Sequence, residues 1–109
     1  MTRPPESEIR ELHAQICQAL ADPTRILLLY ALTESPKNVG ELAQELAFSQ
    51  PNVSRHLKVL RERGMVTATR EGANVVYSLA DKRVLKALDL MREVLGDQLS
   101  RRAQLAEAL

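Results

Sequence analysis

Ser49-Gln50-Pro51-Asn52-Val53-Ser54-Arg55-His56-Leu57-Lys58-Val59-Leu60-Arg61-Glu62-Arg63-Gly64 is the stretch from which the architecture is read. Ser49 can cap a helix, since its hydroxyl accepts a free backbone N–H, and Gly64 can end one in left-handed backbone. Between them Val53, Leu57 and Leu60 recur at helical spacing and mark a buried face. Just upstream, Asn38-Val39-Gly40-Glu41 has the form of a capping box. It opens a short helix to about Leu46 that buries Val39, Leu42, Ala43 and Leu46, and Ala47-Phe48-Ser49 is a brief turn between the two helices. Downstream the pattern changes. Met65–Arg70 and Val75–Leu79 are short and rich in β-branched residues, and Glu71-Gly72-Ala73-Asn74 carries turn formers between them, which predicts a two-stranded hairpin.

Two short helices, a tight turn and then a hairpin is the winged helix-turn-helix layout, in which the second helix enters the DNA major groove with its N-terminal residues toward base edges. The expected fold is α+β, mostly α, with about five helices and a two-stranded wing. Charge agrees with this placement. Residues 49–70 carry Arg55, Lys58, Arg61, Arg63 and Arg70 against Glu62 alone, in a chain whose formal net charge is only +1. A local cationic stretch in a near-neutral chain marks a surface for an anionic polymer. The expected DNA-facing residues are Ser49, Gln50, Asn52, Val53, Ser54, Arg55, His56, Lys58 and Arg61 on the helix, with Arg70 and Asn74 on the wing. Gln and Asn can pair with adenine and Arg with guanine, while Ser hydroxyls and a helix N-terminus suit phosphate oxygens. Read singly, each has a plainer role: Ser49 as a cap, Lys58 and Arg61 as solvated charges, Asn74 as a turn former, His56 as a packing residue beside Leu57.

The flanking segments are helical. Ile9, Leu12, Ile16 and Leu20 form an apolar stripe from Glu6 to Ala21, and Asp22-Pro23 starts the next helix. Ile26–Leu32 is apolar nearly all round, which predicts the centre of the core. From Asp81 onward Val84, Leu88, Met91 and Leu95 form a seam like that of a coiled coil. Residues 1–5, with Pro4 and Pro5, are expected to be a disordered arm. The 109 residues suit a single domain over 1–109, and a partner subunit would help to stabilise so small a unit. The N-terminus has no apolar run like a secretory signal, no stretch is long enough to cross a bilayer, and Cys17 is the single cysteine, so the expected compartment is the cytoplasm. There is no Gly-rich phosphate loop, no Ser/His/Asp set and no paired His with acidic ligands, so an enzyme is not expected, nor a cofactor.

Ala19-Leu20-Ala21-Asp22-Pro23-Thr24-Arg25, Val39-Gly40-Glu41-Leu42-Ala43, Ser49 through Leu60, and Gly64-Met65-Val66 together resemble the ArsR/SmtB family of dimeric winged-helix repressors, over about residues 9–96. The resemblance implies a homodimer built through the first and last helices, a palindromic operator on double-stranded DNA, repression, and release of DNA on an effector signal. The expected interface is Ile9, Leu12, Ile16, Leu20, Val84, Leu88, Met91 and Leu95.

The sequence departs from the family at the effector sites. Arsenic- and cadmium-sensing members often carry a Glu-Leu-Cys-Val-Cys-type motif where this chain has Glu41-Leu42-Ala43-Gln44-Glu45-Leu46, and zinc-sensing members often place Asp and His on the last helix, where this chain has no histidine. Neither metal site carries over. His13 and Cys17, four apart on the first helix, are what remains. Across a two-fold axis they could make a His2Cys2 zinc set, or two Cys17 thiols could form an intersubunit disulfide and a redox switch. Taken alone, Cys17 reads as a small buried hydrophobe. A winged-helix module that binds protein rather than DNA is the other alternative, and Arg55, Lys58, Arg61 and Arg63 argue against it.

Overall fold

A computed structural model describes residues 2–109. In chain order it contains α1 (Glu6–Leu12), a π-helical turn (His13–Cys17), α2 (Pro23–Ala31), β1 (Lys37–Asn38), α3 (Val39–Leu46), α4 (Gln50–Glu62), β2 (Val66–Glu71), β3 (Asn74–Leu79) and α5 (Arg83–Ala108). Residues 2–5 lie outside these elements and are exposed; Met1, also part of the expected arm, lies outside the described residues.

Three helix starts, those of α2, α3 and α4, are the ones the side-chain chemistry dictates. Asp22 accepts from the Thr24 N–H at 2.8 Å with Pro23 in the first turn. Asn38 accepts from the Glu41 N–H at 2.8 Å while the Glu41 carboxylate accepts from the Asn38 N–H at 3.0 Å, closing the capping box. Ser49 Oγ accepts from the Asn52 N–H at 3.3 Å. The chain leaves α4 through Gly64 at φ 73°, where Gly64 N–H donates to Arg61 and Met65 N–H to Leu60, the paired bonds of a Schellman end.

Leu28 and Leu29 of α2, Leu42 of α3, and Val53, Leu57 and Leu60 of α4 form the fully enclosed centre of the core, with Leu85 and Leu88 packing in from α5. Leu27, however, is exposed, so α2 is a core helix with one open side.

Three features differ from the sequence expectation. The first helix does not run on as α-helix to Ala21; its ladder widens at His13, where Gln18 N–H reaches back five residues to the His13 carbonyl. The wing has a third strand: the sheet order is β1-β3-β2, with Lys37 opposite Tyr77 and Asn38 opposite Val76. Two residues are too short to show any period, so β1 left no trace in the pattern. The hairpin turn is also tighter than expected, since Glu71 and Asn74 are paired strand ends and only Gly72 and Ala73 connect them. Gly72 takes φ 62° and Ala73 stays out of the left-handed region, as a type II′ turn requires.

Candidate nucleic-acid interface

α4 has two faces. Val53, His56, Leu57 and Leu60 turn inward, while Gln50, Ser54, Arg55, Lys58 and Arg61 are exposed on the opposite side. Ser49 is exposed at the cap, and Arg70 and Asn74 are exposed on the wing. Eight of the eleven residues singled out from the sequence are therefore accessible together along α4 and β2–β3, and Asn52 is half-buried.

Val53 and His56 are corrections. Val53 is fully enclosed and His56 is 8% exposed, so both pack inside the protein and neither can reach a base edge. Their phase was available in the sequence: 53, 56, 57 and 60 share one helix face. His56 Nδ1 lies 3.3 Å from Arg25 Nη1, and because a guanidinium only donates, Nδ1 is the acceptor in this bond. Arg25 also donates through Nε to the Ala19 carbonyl at 2.7 Å and through Nη2 to the Gln18 carbonyl at 3.0 Å. Arg25 thus fastens the end of the first helical segment to the middle of α4. For the Asp22 carboxyl nearby, burial acts upward, but the Thr24 and Arg25 N–H groups and the Arg25 charge outweigh it and hold the pKa below its ordinary value.

Arg63 lies at the other end of the same helix. Its guanidinium donates to the Ala14 carbonyl in the π-helical turn, so this cation of the basic stretch is a fastener rather than part of the outward face. On that outward face, Arg55 Nη2 donates to Asn52 Oδ1 at 2.7 Å, which orients the guanidinium along the helix. Lys58 and Glu62 stand 4.0 Å apart, both exposed, a pairing of little energetic weight.

β1 sets where the wing lies relative to α3 and α4, and Lys37 secures β1. The Lys37 side chain is 13% exposed, with Nζ 2.5 Å from the Ala31 carbonyl and 3.3 Å from a Glu45 carboxylate oxygen. The sequence read Ser35-Pro36-Lys37 only as a helix break, so this anchor was missed.

The residues expected at an interface fall into two groups. Leu88 is buried within the protein, and Ile16, Leu20 and Val84 are half-buried against it. Ile9, Leu12, Met91 and Leu95 are exposed, and Leu90, Val94, Leu99 and Leu105 of α5, not singled out from the sequence, are exposed as well. Tyr30 joins α2 to α5: its hydroxyl donates to Asp89 at 2.6 Å, Arg92 donates to the same carboxylate at 3.1 Å, and the Arg92 guanidinium sits 5.3 Å from the ring centroid.

Cys17 is exposed, which corrects its reading as a buried hydrophobe, and it lines an apolar cavity of about 410 Å³ with Leu20, Tyr30, Leu88, Met91 and Leu95. His13 Nε2 lies 3.3 Å from Gln18 Nε2. Among the described residues no three His, Cys, Asp or Glu side chains group as a metal site, and no helix is long and apolar enough to cross a membrane.

Residues 22–68 match the family model described as bacterial regulatory protein, arsR family. The chain is 45% identical over 78 residues to the HTH-type transcriptional repressor SmtB of Mycobacterium tuberculosis, a match covering 72% of this chain and 58% of that protein. It therefore spans little more than half the length of that relative. It is 38% identical over 106 residues to the HTH-type transcriptional regulator Rv0081 of the same organism, covering 95% of this chain and 93% of the relative. The crystal structure of Rv0081 superposes with a TM-score of 0.76 over 94% of this chain and 99% of that one, at 35% identity. The homodimeric winged helix-turn-helix DNA-binding domain of Mb0332 from Mycobacterium bovis has the same fold, with a TM-score of 0.76 over 93% of this chain and 95% of that one, at 24% identity.

Proposed function

The chain belongs to the arsR family of bacterial regulatory proteins, and on that premise we propose that two copies of it bind one palindromic DNA duplex, repress transcription there, and let go on an effector signal. The observation that carries this reading is the outward face of α4, where Gln50, Ser54, Arg55, Lys58 and Arg61 are presented together beside the exposed Arg70 and Asn74 of the wing. Residues 1–109 act as one unit in the cytoplasm, with α1 and α5 forming the contact between copies. Gln50, Asn52 and Arg55 read bases, and Ser49, Ser54, Lys58, Arg61, Arg70 and Asn74 hold the backbone. Two recognition helices in one dimer would then stand about 34 Å apart, one turn of B-DNA. The absence of thiols in Glu41–Leu46 and of histidine on α5 supports an effector other than a metal at the family's familiar sites.

The test is titration of the protein against a duplex from upstream of its own gene and against a scrambled duplex, across salt concentrations. The expected result is tighter binding to the first. Arg55→Ala should weaken that binding by about tenfold or more and narrow the preference over the scrambled duplex, whereas Lys58→Ala should weaken binding to both duplexes and lower the salt slope by about 0.9 for the phosphate that is no longer neutralised. Equal affinity for both duplexes would remove the sequence-specific part of the reading.

A further inference from the structure

Between the start of α3, the start of α4 and the wing lies a surface cavity of about 530 Å³. Its polar lining comes from Asn38, Gln50, Asn74 and Tyr77, one or more from each of those three elements, and no lysine or arginine lines it. Asn38 Oδ1 is engaged by the Glu41 N–H. The side chains of Gln50, Asn74 and Tyr77 take part in none of the side-chain hydrogen bonds among the described residues, so their donors and acceptors are available to a ligand. Gly40 also lines the cavity. A Cβ there would stand 3.4 Å from Asn38 Oδ1 and 3.8 Å from Gln50 Nε2, an ordinary contact that the fold accepts, but placed among the side chains that line the hollow. The β1–β3 pairing ties the base of the wing, at Val76 and Tyr77, to the residues that lead into α3.

We propose that this cavity seats one sugar-phosphate unit of the DNA backbone, gripped by the neutral side chains of Asn74 and Tyr77, with Gln50 at its border on the side of the bases, and kept open by the missing side chain at Gly40. The proposal rests on the duplex-binding reading above. A helix in the major groove and a wing tip at the adjacent minor groove must straddle the strand that separates the two grooves, and the cavity lies between those two elements. Amide and phenol groups are ordinary partners for backbone oxygens. Because no cation lines the hollow, this contact adds affinity without adding to counterion release, unlike those of Lys58 or Arg70.

The test uses Gly40→Ala, Tyr77→Phe and Arg55→Ala in the full chain, with the duplex from upstream of its own gene. Gly40→Ala should weaken binding by about five- to tenfold at every salt concentration, the loss of about one hydrogen bond, with a salt slope parallel to that of the unmodified protein. Its thermal midpoint should be unchanged or higher, because alanine favours the helix more than glycine does. Tyr77→Phe should weaken binding in the same parallel manner. Replacing single phosphates with neutral methylphosphonates should reveal one position per half-site that matters to the unmodified protein and not to Gly40→Ala. Should Gly40→Ala and Tyr77→Phe both bind normally while Arg55→Ala is impaired, the cavity is empty in the complex and the duplex reading stands. A reduced salt slope in Gly40→Ala would also overturn the neutral grip. If the unmodified protein binds no duplex, or Arg55→Ala binds as well as it does, the premise itself fails and takes the cavity proposal with it.

Discussion

At Ala47 the backbone enters the left-handed region, φ 58° and ψ 41°, the one non-glycine position among the described residues to do so. It ends α3 as Gly64 ends α4: Phe48 N–H donates to Ala43 at 3.0 Å, wrapping the turn of the helix-turn-helix. A Cβ in this conformation is strained, by about 1 kcal/mol. Ala47 is exposed, so no packing offsets that strain. Ala47→Gly should therefore stabilise the protein by about 0.5–1 kcal/mol, raising the melting temperature by roughly 2–6 °C, even though glycine weakens most helices. A lower melting temperature would mean that the turn does not hold this backbone in solution. Single residues differed in how much of their role could be read beforehand. Ser49, Asn38 and Asp22 act on atoms two or three residues away, so their capping was legible from order alone. Arg25, Arg63 and Lys37 act on carbonyls at residues 19, 14 and 31, some of them far along the chain, and nothing local in the sequence announces such partners.

Among the elements, α4 was the most legible, because cap, apolar spacing and terminator agree on one answer. Which of its residues face outward was less so: the basic run crosses the helix, His56 turns inward despite being polar, and Arg63 reaches across the surface to Ala14. α5 reversed the expectation in part. Its sequence offers a broad apolar arc, and only tertiary contact decides that Leu85 and Leu88 serve the core while Met91, Val94 and Leu95 stay uncovered. The start of α5 has its own pH dependence. Asp81 accepts from the Arg83 guanidinium at 2.7 Å and from its backbone N–H at 2.9 Å, and these bonds pull its pKa down to about 2. A carboxyl depressed in the folded state adds stability above its ordinary pKa, and that contribution fades as pH falls from about 4 towards 2. NMR titration of Asp81 should place its midpoint near 2 in the native protein, moving back towards the ordinary carboxyl value in Arg83→Ala. Because the Asp81 side chain is 43% exposed and its partner Arg83 is solvated, the effect on global stability should be small.

The whole molecule is long for its mass. Its radius of gyration is 17.0 Å and its extents are 58 × 39 × 21 Å, against about 13 Å for a compact chain of about 100 residues. The excess comes from α5, whose 26 residues reach about 39 Å, and from α1, none of whose residues is buried. Exposed Ile9, Leu12, Met91, Val94 and Leu95 lie on these two protruding helices, an apolar surface that a second copy would cover. Leu95→Asp should leave the protomer folded, since the side chain is half exposed already, and raise the dimer dissociation constant by about 100-fold or more. Sedimentation measures this directly, and a native protein that sediments as a monomer at micromolar concentration would overturn the two-copy reading. The two arginine fasteners give this geometry a mechanical meaning. Arg25 and Arg63 moor residues 14–19 to the midpoint and the tail of α4. A tilt of that strut would pull on the α4 rod through both moorings, carrying a shift on one side of the protein to the other.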